Sequence, residues 1–247
     1  MIPIKIFLIL DSDIEKLTYL LNNYNMKILA ITDIHAAYKK VEEIIKIESP
    51  DILIIGGDLT TVGTVKEAEM AVRNFRQYCE RVFCLSGNMD LVQHDDMYTR
   101  LGISLNAQCV IIEHVGFFGV SSAPISPLRT PYEITEEEIS RRIHEGYKHV
   151  QPTFKKILIS HAPPYGTKVD ITHSGIHVGS TAVRDFIEDH QPEVVICGHI
   201  HEGRGQDVID KCLIVNCGAA KDGYYVIVEI LGDKIDIKNL QYPSYIS

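Results

Sequence analysis

Short apolar runs at 28–31, 52–55, 82–85, 110–112, 157–159 and 194–197 alternate with stretches of helical periodicity, and no other feature of the chain restricts its fold as much. Such runs are too short for helices and lack the polar alternation of a half-exposed strand, so they read as strands buried on both faces. Between them, Tyr38, Val41, Ile44 and Ile45 mark a helix over 36–47, and Val65, Ala68, Val72 and Phe75 mark one over 65–78. Two more fall at 135–148 and 179–189. Buried strands alternating with helices form α/β layers with largely parallel strands. The C-terminal end differs: runs at 224–231 and 234–240 flank Gly232-Asp233, a two-residue hairpin signal, so an antiparallel section adjoins the alternating part.

A chain of 247 residues buries a full core as one domain. No apolar run reaches the roughly eighteen residues of a membrane-spanning helix. The net charge of −9 disfavours an extended grip on nucleic acid and favours a small phosphorylated substrate whose charge is met locally. Six cysteines, none in a C-x-x-C pair and most inside apolar runs, read as buried free thiols of a reducing, cytoplasmic compartment. The apolar first ten residues carry Lys5 and lead into Asp11, Ser12 and Asp13 without a small-residue cleavage site, unlike a signal peptide. Ile14, Leu17, Leu21 and Tyr24, with Ser12 and Glu15 at capping-box spacing, read as an amphipathic helix over 12–24. Met26 then opens a fresh strand, so residues 1–25 read as an extension, or a start-site artefact, ahead of a domain over 26–247.

Five segments end apolar runs with residues of metal-ligand type: Asp33-Ile34-His35, Gly57-Asp58, Gly87-Asn88, Ser160-His161 and Gly198-His199-Ile200-His201. Carboxyl ends of strands line the crevice of an α/β sheet, so all five are expected at one edge. Residues two apart in an extended chain point the same way, which pairs Asp33 with His35 and His199 with His201. Glycines at 56, 57, 87 and 198 allow sharp turns close to an ion. Two carboxylates, one amide oxygen and four imidazoles suit Mn²⁺, Fe, Zn²⁺ or Co²⁺ without choosing among them. Seven donors overfill one tetrahedral ion and suit two ions that share a carboxylate.

This ordered series, D-x-H, G-D, G-N, H and G-H-x-H over residues 33–201, resembles the calcineurin-like metallophosphoesterase superfamily. The His177-Val178-Gly179-Ser180 and Gly198 to Gly205 stretches resemble a small branch from archaea and thermophilic bacteria. The resemblance implies a four-layer αββα sandwich of two mixed β-sheets flanked by helices. It also implies that Asp33, His35 and His201 hold one metal, that Asn88, His161 and His199 hold the second, and that Asp58 bridges them. A hydroxide shared by the two ions would attack phosphorus, with Asp58, Asn88 and His199 as the residues closest to catalysis.

The chain departs from that pattern at Met89, where the family usually has a histidine that protonates the leaving group or contacts phosphate. A thioether donates no proton. The departure favours phosphodiesters over monoesters and predicts a rate that rises steeply as the leaving group's pKa falls. His94 is one candidate replacement acid. A phosphomonoesterase for nucleotides or phosphoproteins is the enzyme alternative. A non-catalytic interaction scaffold, like the retromer subunit of this fold, is the other, and it predicts eroded ligand positions. His173 and His177 either face substrate, or are solvated while Ser180 caps a helix starting near 181. Arg204 either clamps a phosphate or is an ordinary surface arginine. Glu136, Glu137 and Glu138 read as the solvated first turn of a helix. A homo-oligomer is compatible with the sequence, and nothing in it specifies one.

Overall fold

Apolar side chains on both faces of a strand must be covered from both sides, and the chain achieves this with two sheets packed face to face. The computed structural model describes residues 24–243; the helix expected over 12–24 lies almost wholly outside them. The first alternating unit comprises β1 (Asn25–Ile31), α1 (Tyr38–Glu48), β2 (Ile52–Gly56), α2 (Val65–Phe75) and β3 (Val82–Leu85), with its three strands parallel neighbours. Next come α3 (Gln93–Arg100), β4 (Cys109–Ile112), β5 (Val115–Val120) and the short parallel pair β6 (Ala123–Pro124) and β7 (Glu133–Ile134). A second unit follows: α4 (Glu136–Val150), β8 (Lys155–Ser160), α5 (Thr181–His190) and β9 (Val194–Cys197). The chain closes with β10 (Gly205–Ile209), β11 (Cys212–Asn216), β12 (Tyr224–Leu231) and β13 (Lys234–Gln241).

The first sheet has strand order β13-β12-β1-β2-β3 and the second β10-β11-β9-β8-β5-β4. The period of two along β1 decides the layers. Met26, Ile28 and Ala30 pack with Phe117, Ile157, Ile159, Val194 and Ile196 of the second sheet. The alternate residues Leu29 and Ile31 pack with Val41, Ile44, Val72 and Phe75 of the helices. Beyond the second sheet, Phe118, Leu158 and Val195 meet Ile139, Ile143, Val183 and Ile187 of α4 and α5. The result is the four-layer αββα sandwich with two mixed sheets. No helix among the described residues is long and apolar enough to cross a membrane.

The C-terminal hairpin forms at Gly232-Asp233 as expected, with Leu231 paired to Lys234. Helix α3 was not foreseeable from apolar period, because its buried residues are His94, Asp95, Met97 and Tyr98, two of them polar. Strand β5 hides behind Gly116 and Gly119; a Cβ on Gly119 would strike the Ile159 backbone of the adjacent strand. Neighbouring backbones approach too closely there for any side chain.

All six cysteines are free, and each is buried except the half-buried Cys109. Burial pushes the Cys84, Cys197 and Cys217 thiols up, away from the reactive thiolate. A disulfide-exchange dye should therefore label the native protein slowly, Cys109 first, and count six thiols once it is denatured. Fast labelling of several thiols in the native protein would contradict this packing.

Candidate metal centre

Parallel strands end at a common edge, so loops that leave them meet. Asp33 and His35 follow β1, Asp58 follows β2 and Asn88 follows β3, all in the first sheet. His161 follows β8, and His199 and His201 follow β9, in the second. The seven residues therefore face each other across the rim of the sandwich rather than lining one sheet edge. Their pairing does not arise from extended backbone. Asp33, His35, Asp58 and His199 have φ of 55°, 45°, 51° and 65°, left-handed values that turn each side chain inward. Such conformations persist only where tertiary contacts over-determine them.

Those contacts are present. The Asp33 amide donates to Gly57 O at 3.0 Å and the His35 amide to Asp58 O at 3.0 Å, joining the loops after β1 and β2. Asp90, fully buried, accepts from the amides of Leu59, Thr60 and Gly87 and from the Thr60 hydroxyl, joining the loops after β2 and β3. Across the sheets, the His199 amide donates to Asp33 Oδ2 at 3.0 Å. Asn216 donates its amide to the carbonyls of Val169, Gly198 and Ile200. Gly57, at φ 110°, lies so close to the His161 ring and to Gly87 that a Cβ would collide with both.

The donor atoms form two overlapping groups, Asp33 with His35 and His201, and Asp33 with Asp58 and His161; within each group they lie within 4.8 Å of one another. Asp33 is common to both groups, and Asp58 Oδ2, in the second, stands 3.6 Å from His161 Nε2 and also 3.8 Å from His35 Nε2 of the first. The Met89 amide donates to Asp58 Oδ1 at 2.7 Å and fixes that carboxylate. His199 and His201 part company: the His199 ring packs on His161, with centroids 5.1 Å apart, and the His201 ring on His35 at 5.6 Å.

Three features fit cations. His161 Nδ1 is 3.0 Å from the Gly56 carbonyl, which can only accept, so Nε2 carries the lone pair. That lone pair faces Asn88 Oδ1 at 3.0 Å, two acceptors that repel unless a positive charge lies between them. Asp33 Oδ1 is buried without an aligned donor, although His201 Nε2 is 3.2 Å away. Burial opposes ionisation of Asp33, yet the His201 ring beside it and the Thr32 hydroxyl hold it below the usual carboxylate range. Burial pushes Asp58 up, and the charges of Asp33 and Asp90 add to that. His35 and His199 are pushed down by burial, His199 to about 3, and both are therefore neutral donors near neutral pH. The donor chemistry is mixed oxygen and nitrogen, which matches Mn²⁺, Fe, Zn²⁺ or Co²⁺.

Beside Asn88 and His199 opens a cavity of about 630 Å³, walled by the 123–128 segment, Tyr165, Thr172, His177 and Val178. His177 thus reaches the cavity, with Nδ1 on Asp170 at 2.6 Å. His173 is exposed and its amide donates to Glu202. Ser180 caps α5 through the Val183 amide, as the plainer reading had it. Arg204 turns to the C-terminal hairpin, its guanidinium 4.2 Å above the Tyr224 ring and bonded to Leu240 O. His94 is fully buried and meets Asp90 at 3.5 Å. Glu136 is not simply solvated: its carboxylate accepts from the Ser180 hydroxyl and the Thr181 and Ala182 amides at the start of α5. Asp170 and Asn216 escaped the sequence reading, neither standing in a motif, while Asp90, the acidic residue that follows Met89 in the G-N-x-D stretch, serves the loop amides instead of orienting a ring in the cavity.

The profile of calcineurin-like phosphoesterases matches residues 26–203. Uncharacterized protein MJ1162 of Methanocaldococcus jannaschii is 35% identical over 195 residues, covering 77% of this chain and 87% of its own. The solved structure of TT1561 of Thermus thermophilus aligns over 87% of this chain and 99% of its own, with a TM-score of 0.67 at 16% identity. That of an archaeal phosphodiesterase aligns over 88% and 100%, with a TM-score of 0.50 at 18% identity. The two structural likenesses speak for the fold. The profile match spans most of the chain and all seven converging residues, and with the close relative it establishes that the chain belongs to the calcineurin-like phosphoesterase family.

Proposed function

We propose that this metal-dependent phosphoesterase works with two divalent cations and that its substrate is a small phosphodiester. The observation that carries the reading is the position of Asp58 Oδ2 between His35 and His161, with donors to spare on either side. Asp33, His35 and His201 would hold one cation, Asn88, His161 and His199 the other, and Asp58 both. Bound there, the cations supply charge to neutralise the phosphoryl oxygens and the acidity that makes water nucleophilic near neutral pH. The protein's part is to hold its donors in place through Asp90, the Met89 amide and Asn216, so that nothing reorganises during the reaction. The scaffold alternative is disfavoured because every ligand position is present and converging.

Preference for a diester is supported by the cavity. Its lining includes Ile125, Leu128, Val178 and Ile200 and, among the described residues, no Lys or Arg. A monoester of a nucleotide or phosphoprotein brings a second negative charge to the phosphorus, which such a wall does not meet. A diester brings one charge to the cations and an organic group to the apolar wall. The test is a metal-reconstituted comparison of aryl diesters, aryl monoesters and cyclic nucleotides. Faster turnover of monoesters would reverse the preference.

Three measurements probe the centre. Elemental analysis should find close to two divalent ions per chain. Asp58→Asn should lower kcat/KM by more than Asn88→Ala, for which about 10–100-fold is expected, because Asp58 serves both ions. Equal, small losses would remove Asp58 from the bridging role. The third measurement is proton release on metal binding, from calorimetry in buffers of different ionisation enthalpy. Asp58, raised by burial to about 7, must be ionised to bind, and His201, raised by Asp33, must be neutral. Metal uptake should therefore release more protons, and metal should bind more weakly, as pH falls below that value. Proton release that is independent of pH would contradict the assignment.

A further inference from the structure

Hydrolysis of an ester with a poor leaving group needs a proton for the departing oxygen, and Met89 offers none. His94 is sealed in the core against Asp90. Among the titratable groups on the cavity beside Asn88 and His199, Glu133 is fully engaged by Ser126 and Thr130 and held at about 2, so it carries no proton near neutral pH. Glu136 is engaged by Ser180, Thr181 and Ala182. Tyr165 and His177 remain on that wall. A phenol holds its proton to about pH 10, so of the two side chains the His177 imidazole is the better proton donor near neutral pH.

Its setting is constructed. Asp170 is fully buried, and its carboxylate accepts from the amides of Gly166, Thr167 and Gly179 as well as from His177 Nδ1. Burial opposes its charge, but the His177 bond and those amides keep Asp170 below the usual carboxylate range. The 171–177 segment closes as a small hairpin, with Ile171 bridged to His177 and the Thr172 amide donating to Ile176 O at 3.0 Å. An ionised carboxylate at Nδ1 requires a proton there and leaves Nε2 as the ring's other, functional nitrogen. The ring is half-exposed on the same cavity as Asn88 and His199.

On the phosphoesterase reading above, we propose that His177, oriented by Asp170, is the general acid that protonates the leaving oxygen. The oxygen of water bonds to phosphorus, the bond from phosphorus to the leaving oxygen breaks, and its electron pair takes the Nε2 proton of imidazolium. The proton lost by the attacking water restores Nε2, so that the sum is ester plus water giving monoester plus alcohol. Asp170 is the positioning residue. Met89 then costs the enzyme a proton donor on one side of the centre, and the 170–180 loop supplies one from another.

The experiment measures kcat/KM for substituted phenyl and alkyl phosphodiesters at fixed metal loading, on the unmodified chain, His177→Asn, Asp170→Asn and Tyr165→Phe. Asparagine keeps a donor toward Asp170 but cannot transfer a proton. With His177 as the acid, the unmodified protein should show a shallow dependence on leaving-group pKa, in place of the steep one that Met89 alone predicts. His177→Asn should lose about 10²- to 10⁴-fold on alkyl esters and little on nitrophenyl esters, with metal content unchanged. Asp170→Asn should steepen the dependence less. Long-range proton–nitrogen NMR should find the neutral His177 ring protonated at Nδ1. Equal losses across all leaving groups, a selective loss only in Tyr165→Phe, or a ring protonated at Nε2 would each overturn the proposal. Failure of the metal-loaded, unmodified protein on nitrophenyl diesters would instead sink the diesterase reading, and the proposal with it.

Discussion

Two buried carboxylates, Asp33 and Asp58, share the same few ångströms with the His161 imidazole, and the rest of the structure is arranged around that crowding. Without a cation the arrangement is costly: like charges repel in a poorly solvated place, and the His161 lone pair faces the Asn88 oxygen. Burial opposes both charges: the His201 ring holds Asp33 down all the same, whereas Asp58 is pushed up by burial and then by the charges of Asp33 and Asp90. Positive charge resolves the conflict. A family built on phosphate chemistry thus has its reactive charge supplied by ions, which is consistent with a chain that is itself net negative.

The fold makes the crowding tolerable by distributing its support. Neither sheet alone could bring seven donors together, because side chains from adjacent parallel strands fan out along one edge. Facing two edges supplies donors from both sides, and the hydrogen bond from the His199 amide to Asp33 ties the sheets at the point of convergence. Left-handed backbone at Asp33, His35, Asp58 and His199 costs on the order of 1–3 kcal/mol at each position, offset by the amide ladder from Gly57 and Asp58 and by the Asp90 carboxylate. Rigid donors follow from this over-determination. A site assembled on mobile loops would let the two carboxylates relax apart.

What was legible in the sequence follows the same physics. Ligand types at strand ends were visible because Asp33, Asp58, Asn88, His161 and His199 each stand directly after or close behind a run of buried residues. The layering was visible because β1, β2, β8 and β9 are apolar on both faces. The means of convergence was not, since nothing near Asp33 or Asp58 announces a left-handed residue; tertiary hydrogen bonds impose it. Nor was α3, whose inner face carries His94 and Asp95. The Asp170–His177 bond was invisible for a related reason: it joins two polar residues in a loop with no apolar period, and only the fold sets the pair beside Asn88.

Position 89 serves the centre through its backbone, and this explains how the chain tolerates Met89. The amide that fixes Asp58 Oδ1 is present whatever the side chain, and the Met89 carbonyl accepts from the Val62 amide in the same way. The following carboxylate, Asp90, is committed to the loop amides and to no ring in the cavity. Replacing a side chain at 89 therefore leaves the geometry of the donors unchanged and alters only what stands beside the leaving group. Metal binding and proton supply are separable in this architecture. On the proposed assignments, the first is set by strands and their immediate turns and the second by the loop before α5, which brings His177 to the cavity.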